Sequence, residues 1–128
     1  MKILLDTHIF LWYISGDPRL PEDQRNAIRH ADNEIYLSVV SLWEALVKHQ
    51  SGKLTFPQPP ELYLPQQRER HRIASLSLDE ISVAHLASLP PIHRDPFDRM
   101  LICQANVHGL TIMTVDEIMP AYPVQIFT

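Results

Sequence analysis

The sequence predicts an α/β domain built on a short, mostly parallel sheet with helices on its faces. Three observations predict it. Apolar runs of strand length recur in "KILL", "EIYLSVV" and "LTIMTV", segments of helical length alternate with them, and Pro and Gly mark the joints. With 128 residues and 45% hydrophobic content the chain fits one domain, residues 1–128, with a real core. No repeat, low-complexity tract or linker divides it.

Taken in order, "KILL" suits a buried parallel strand that ends at Asp6, and "IFLWYI" beyond it is long enough for a helix, which "GDP" breaks at Gly16 to Pro18. "PEDQRNAIRHA" carries the Pro and acids of a helical first turn and reads as a polar surface helix. "EIYLSVVSLWEALVKHQSGKL" reads as a strand to about Ser38 and a helix from Ser41 that stops near Gly52. "FPQPP" is a loop, and Pro65 interrupts the helical pattern of "ELYLPQQRER". "RIASLSL" contains a candidate strand, and Ile81, Ala84, His85 and Ala87 give "DEISVAHLASL" helical spacing. A helix after Asp95 runs to about His108 with Gly109 as its stop. "LTIMTV" is then a strand leading to Asp116, and "VQIF" is a candidate last strand.

Composition narrows the function classes. The single Cys103 excludes an intrachain disulfide framework and cannot supply a thiolate zinc site alone, so a reducing cytoplasm is the expected compartment, and its place in "MLICQA" predicts a buried, inert thiol. Asp6 and His8 interrupt the apolar N-terminus, which rules against a signal peptide, and no segment approaches the roughly 18 apolar residues of a membrane span. The net charge of −4, from 11 basic and 15 acidic side chains, is not that of a typical nucleic-acid binder. If four acids hold metal, however, the balance loses its force.

Four acids lie in or beside apolar sequence: Asp6, Glu44, Asp98 and Asp116. A lone buried carboxylate costs several kcal/mol or takes up a proton, so four of them point to a common partner. Two follow predicted strands and two sit in first turns of predicted helices, which places all four at the carboxyl edge of the sheet, where open α/β folds bind ligands. Oxygen ligands without a Cys2His2 pattern suit Mg²⁺ or Mn²⁺, ions adapted to phosphoryl chemistry.

Each acid also has a local reading. Ser41 and Glu44 match a capping box, Asp6 suits the cap of the first helix, and Asp116 after Thr114 suits an Asx-turn. Asp95 suits a helix cap with Pro96 at the first helical position. Asp98 falls one turn before Leu101 and Ile102, on the inward face. The seven histidines match no zinc spacing and read as surface or core residues, and Trp12 and Trp43 read as core. Arg94 and Arg99 flank the acids and are candidates either for structural pairing with them or, the favoured reading, for substrate phosphate contact.

With "ILLDTHIFLW", "LSVVSLWEALVKHQSGKL", "HRDPFDRMLICQA" and "LTIMTVDEIM" in this order, the chain resembles PIN-domain ribonucleases, in particular VapC-type toxins of type II toxin-antitoxin systems. The resemblance covers essentially the whole chain. It implies a PIN-like three-layer fold and a Mg²⁺- or Mn²⁺-dependent endoribonuclease, often a homodimer, held inactive by a cognate antitoxin protein. The family's acids fall on Asp6, Glu44, Asp98 and Asp116, which would hold one or two ions, with Glu44 orienting or deprotonating the attacking water. Asp95, Thr7 and Thr114 take supporting roles. Two rivals are a non-catalytic PIN-like interaction module, which predicts loss of some of these acids, and a HAD-type phosphatase, which needs a second Asp where this chain has His8.

Overall fold

A computed structural model describes residues 1–128. Its sheet has four parallel strands, β1 (Lys2–Leu5), β2 (Glu34–Ser38), β3 (Ala74–Leu76) and β4 (Thr111–Met113), in the order β3-β2-β1-β4. Six α-helices connect and cover them: α1 (Thr7–Ser15), α2 (Glu22–Arg29), α3 (Val39–Gln50), α4 (Pro60–Arg70), α5 (Glu80–Ala84) and α6 (Pro96–His108). No helix is long and apolar enough to cross a membrane.

The central strand explains the layering. Ile3 and Leu5 of β1 join one buried cluster with Ile9, Phe10, Ile28 and Leu64 of helices α1, α2 and α4, while Leu4 between them joins a second cluster with Leu101, Ile102 and Cys103 of α6. Alternate side chains of a strand point to opposite faces, so β1 is apolar throughout because both faces are covered. The three layers and the parallel sheet match the expected fold class.

The helix termini follow local chemistry. Ser38 ends β2 and caps α3, its Oγ accepting from the Val40 N–H at 3.0 Å. The helix therefore starts at Val39, not at Ser41, and the expected Ser41–Glu44 capping box does not form, because a better-placed serine has already taken the cap. Asp95 caps α6, its Oδ1 accepting from the N–H groups of Phe97 (2.9 Å) and Asp98 (3.1 Å), and Gly109 closes the far end at φ 66°. That left-handed conformation favours glycine.

Three other expectations are corrected. Pro65 lies inside a continuous α4. Ile81 of α5 is 68% exposed and the helix turns Ser82 inward instead, with a 3₁₀ turn over His85–Ser88 carrying the chain on to the buried Leu89. "VQIF" forms a single parallel bridge, Ile112 to Ile126, rather than a strand. The polar α2 still buries Gln24 and Ile28.

Candidate active site

At the carboxyl edge of the sheet a cleft of about 390 Å³ is lined by Asp6, Glu44, Asp95, Asp98 and Asp116, together with His8, Trp12, Arg19, Lys48, His93 and Val115. Four of the acids arrive from four different places in the fold. Asp6 follows β1, Glu44 stands on the second turn of α3, Asp98 on the first turn of α6, and Asp116 in the loop after β4. The structure thus brings the four predicted acids to one place.

Asp6 and Thr114 meet because β1 and β4 are neighbours in register, Leu5 beside Met113. The Asp6 carboxylate is held at both oxygens, Oδ1 accepting from the Thr7 N–H and Oδ2 from the Thr114 hydroxyl, each at 2.7 Å. Thr114 Oγ1 also accepts from the Asp116 N–H at 2.9 Å, so one side chain orients one acid and anchors the loop of another. Asp116 closes an Asx-turn onto the Ile118 N–H at 2.9 Å, which leaves its local reading intact.

Glu44 is 2% exposed and spoken for at both oxygens. Thr7 Oγ1 lies 2.7 Å from Oε1 and 2.8 Å from Ser41 Oγ, and with one proton to give it donates to the carboxylate and accepts from the serine. Lys48, one turn along α3, forms an ion pair with Oε2. Partial burial works against the Lys48 charge, but the Glu44 hydrogen bond and the charges of Glu44, Asp95 and Asp98 outweigh it and hold the ammonium above its usual pKa.

Burial raises the Asp6 pKa, against the lowering effect of its Thr114 and Thr7 hydrogen bonds, and the Glu44 charge adds to the rise. Asp98 is perturbed more. Burial first, then the charges of Asp6, Asp95, Glu44 and Asp116, push its carboxyl up to about 8. Its one basic neighbour by contact is His93, whose Nε2 lies 3.3 Å from Oδ2. Ligand atoms of His93, Asp98 and Asp116 all fall within 4.8 Å of one another. A cluster so short of positive charge, with its donor atoms converging, fits a divalent cation in the hard-ligand class.

The two arginines do not join it. Arg99 turns away from the cleft, its Nη1 donating to the Pro90 carbonyl at 2.9 Å and to Tyr122 Oη at 3.2 Å, and Arg94 is exposed without a side-chain partner. A helical residue next to an inward-facing one points elsewhere, and Asp98 holds the inward position. The basic groups at the cleft are instead Lys48, His93, His8 and Arg19, the last paired with Asp17 and lying 5.0 Å over the Trp12 ring. Trp43 is not core, being 55% exposed and edge-on to Phe97, whereas Trp12 packs against the core with one side and lines the cleft. Lys48 was readable as an i, i+4 partner of Glu44 on a predicted helix. His93 had no such signal, being delivered by the irregular segment before α6. Cys103 is buried, as expected.

The PIN-domain family matches residues 3–124. The chain belongs to the PIN-domain family. Among curated relatives, the ribonuclease VapC22 of Mycobacterium tuberculosis is 29% identical over 117 residues, covering 90% of this chain and 87% of that protein. The ribonuclease VapC16 of the same organism is 36% identical over 72 residues, 53% of this chain and 51% of its own. Of solved structures, VapBC2 from Rickettsia felis, bound to a DNA fragment of its promoter, superposes on this PIN domain with a TM-score of 0.75 at 16% identity, over 100% of this chain and 98% of that one. DNA-bound VapBC from Salmonella typhimurium gives 0.71 at 20% identity, over 99% and 97%. At these identities the structures establish the PIN fold.

Proposed function

We propose that this PIN domain, residues 1–128, is a divalent-metal-dependent endoribonuclease and the toxin of a type II toxin-antitoxin pair. The observation that carries the reading is the convergence of Asp6, Glu44, Asp98 and Asp116 in one cleft with an Asp98 carboxyl driven up to about 8. A non-catalytic module has no use for so costly a cluster, and a HAD-type phosphatase has a different fold. The VapC relatives named as ribonucleases supply the substrate class.

Asp98, Asp116 and Asp6 are the residues placed to hold Mg²⁺ or Mn²⁺, as one or two ions. When bound, such an ion supplies Lewis-acid charge and a more acidic water. The chain's own groups do the rest. Thr114 and the Thr7 N–H hold the Asp6 carboxylate in one orientation, which lowers the ordering cost of binding. Glu44, fastened by Thr7 and Lys48, is a fixed carboxylate at the cleft that would orient or deprotonate an attacking water, and Lys48 limits the repulsion that the acids exert on a phosphodiester.

A protein partner is supported by the surface next to this cleft. Val39, Trp43 and Val47 recur every four residues along α3 and are 38%, 55% and 42% exposed, an apolar stripe that an antitoxin segment or a second copy of the chain would cover. A toxin-antitoxin complex from Klebsiella pneumoniae stands among the solved neighbours, with a TM-score of 0.55 at 18% identity.

Purified protein with Mn²⁺ or Mg²⁺ is expected to cut single-stranded RNA and to stop when the metal is chelated. Asp6→Asn is expected to abolish cleavage while leaving the circular dichroism spectrum unchanged. Equal cutting by mutant and wild type would show that this cleft is not the active site.

A further inference from the structure

We propose that His93 is a direct metal ligand, so that the cleft is a mixed nitrogen and oxygen site selective for Mn²⁺ over Mg²⁺. This rests on the metal-dependent reading of the cleft and adds to it a residue and a selectivity.

The geometry is already near what coordination needs. First-row ions bind nitrogen and oxygen at about 2.0–2.2 Å, so two ligands of one ion stand roughly 3–4.4 Å apart. His93 Nε2 is 3.3 Å from Asp98 Oδ2, and the Asp116 carboxylate completes a trio within 4.8 Å. Closing the widest pair takes a few tenths of an ångström, within the reach of a side-chain torsion.

The segment that delivers the ring is held at the same residue. Tyr122, 3% exposed, accepts the His93 N–H at its hydroxyl oxygen at 2.7 Å, and the hydroxyl lies 3.3 Å from the His93 carbonyl. With Arg99 donating to it at 3.2 Å and to the Pro90 carbonyl at 2.9 Å, the irregular stretch before α6 is tied down on both sides of residue 93. Tyr122 and Arg99 do not line the cleft. Their arrangement holds the peptide whose side chain does, and a lone surface imidazole has no need of such a clamp.

Ligand type then sets the ion. Mg²⁺ demands near-ideal octahedral oxygen coordination and gives up water reluctantly, whereas Mn²⁺, a first-row transition ion, accepts an imidazole nitrogen more readily than Mg²⁺ does. One nitrogen among carboxylates therefore shifts the site toward Mn²⁺ relative to Mg²⁺.

The test is binding to the full chain without RNA. Calorimetry is expected to give wild-type affinity at least tenfold higher for Mn²⁺ than for Mg²⁺. His93→Gln is expected to remove most of that difference by weakening Mn²⁺, with Mg²⁺ changed by less than about threefold. Electron spin echo modulation of bound Mn²⁺ is expected to show a directly coordinated imidazole nitrogen in the wild type and to lose it in His93→Gln. The wild-type spectrum needs no variant to fold. A bound Mn²⁺ without nitrogen coupling, coupling that survives in His93→Gln and so comes from another ring such as His8, or equal weakening of both ions overturns the proposal and leaves the metal-dependent reading standing. Failure of either ion to bind wild-type protein overturns that reading and this one together.

Discussion

Asp98→Asn is expected to cripple the site and stabilise the metal-free protein. Its carboxyl is pushed from an ordinary 3.8 to about 8 by burial and by the charges of Asp6, Asp95, Glu44 and Asp116. Between those values the unfolded chain is ionised at this residue while the native chain holds the proton. The native state therefore binds more protons, and stability falls as pH rises from about 4 to about 8. At about 1.4 kcal/mol for each pH unit the ceiling is about 5–6 kcal/mol. Solvent in the cleft and the facing Lys48 ammonium screen much of this, leaving about 1–2 kcal/mol. The neutral amide escapes the cost. In chelator at pH 8, thermal unfolding of Asp98→Asn should lie roughly 5 °C above wild type, with the gap shrinking toward zero near pH 4. Saturating Mn²⁺ should reverse the order, since only the wild type keeps the ligand. A variant no more stable than wild type at pH 8 in chelator would refute the claim that crowded acids strain this fold.

Two further substitutions probe how the site is held. Thr114→Val removes the hydroxyl that orients Asp6 and accepts the Asp116 N–H, and calorimetry should record a 10- to 100-fold loss of Mn²⁺ affinity, the usual range for a group behind a ligand. Ser38→Ala removes the α3 cap and the partner of Gln104 Oε1, both buried, and urea denaturation should show a loss of about 1–3 kcal/mol.

Much of this site could be read before any coordinates, for a physical reason. Asp6 and Asp116 end apolar strands, and the carboxyl edge of a parallel sheet is a single place, so two strand ends predict a meeting point. Asp98 on the inward face of an apolar helix is the same kind of inference with period 3.6. Ser38 against Ser41 was harder, because both serines precede the same apolar run and the choice depends on where β2 lets go. Ile81 misled because a five-residue helix is too short for its spacing to define a face. Arg99 misled for a related reason: its nearness in the chain to Asp98 suggested a place at the cleft, while its guanidinium is turned to the hydroxyl of Tyr122, 23 positions beyond it. Contacts of that range leave no periodic trace.

Four of the cleft's acids stand at positions 6, 44, 98 and 116, each on a different element or on the loop that follows one. During synthesis the N-terminal part of a chain folds first, but here β1 waits for β4, the last strand made, before Asp116 and Thr114 can come beside Asp6. A chain interrupted anywhere before residue 111 carries Asp6, Glu44 and, at most, Asp98, without the threonine that orients the first of them. Order of assembly thus delays the site: the full set of acids comes together only once the chain has been extended past Asp116.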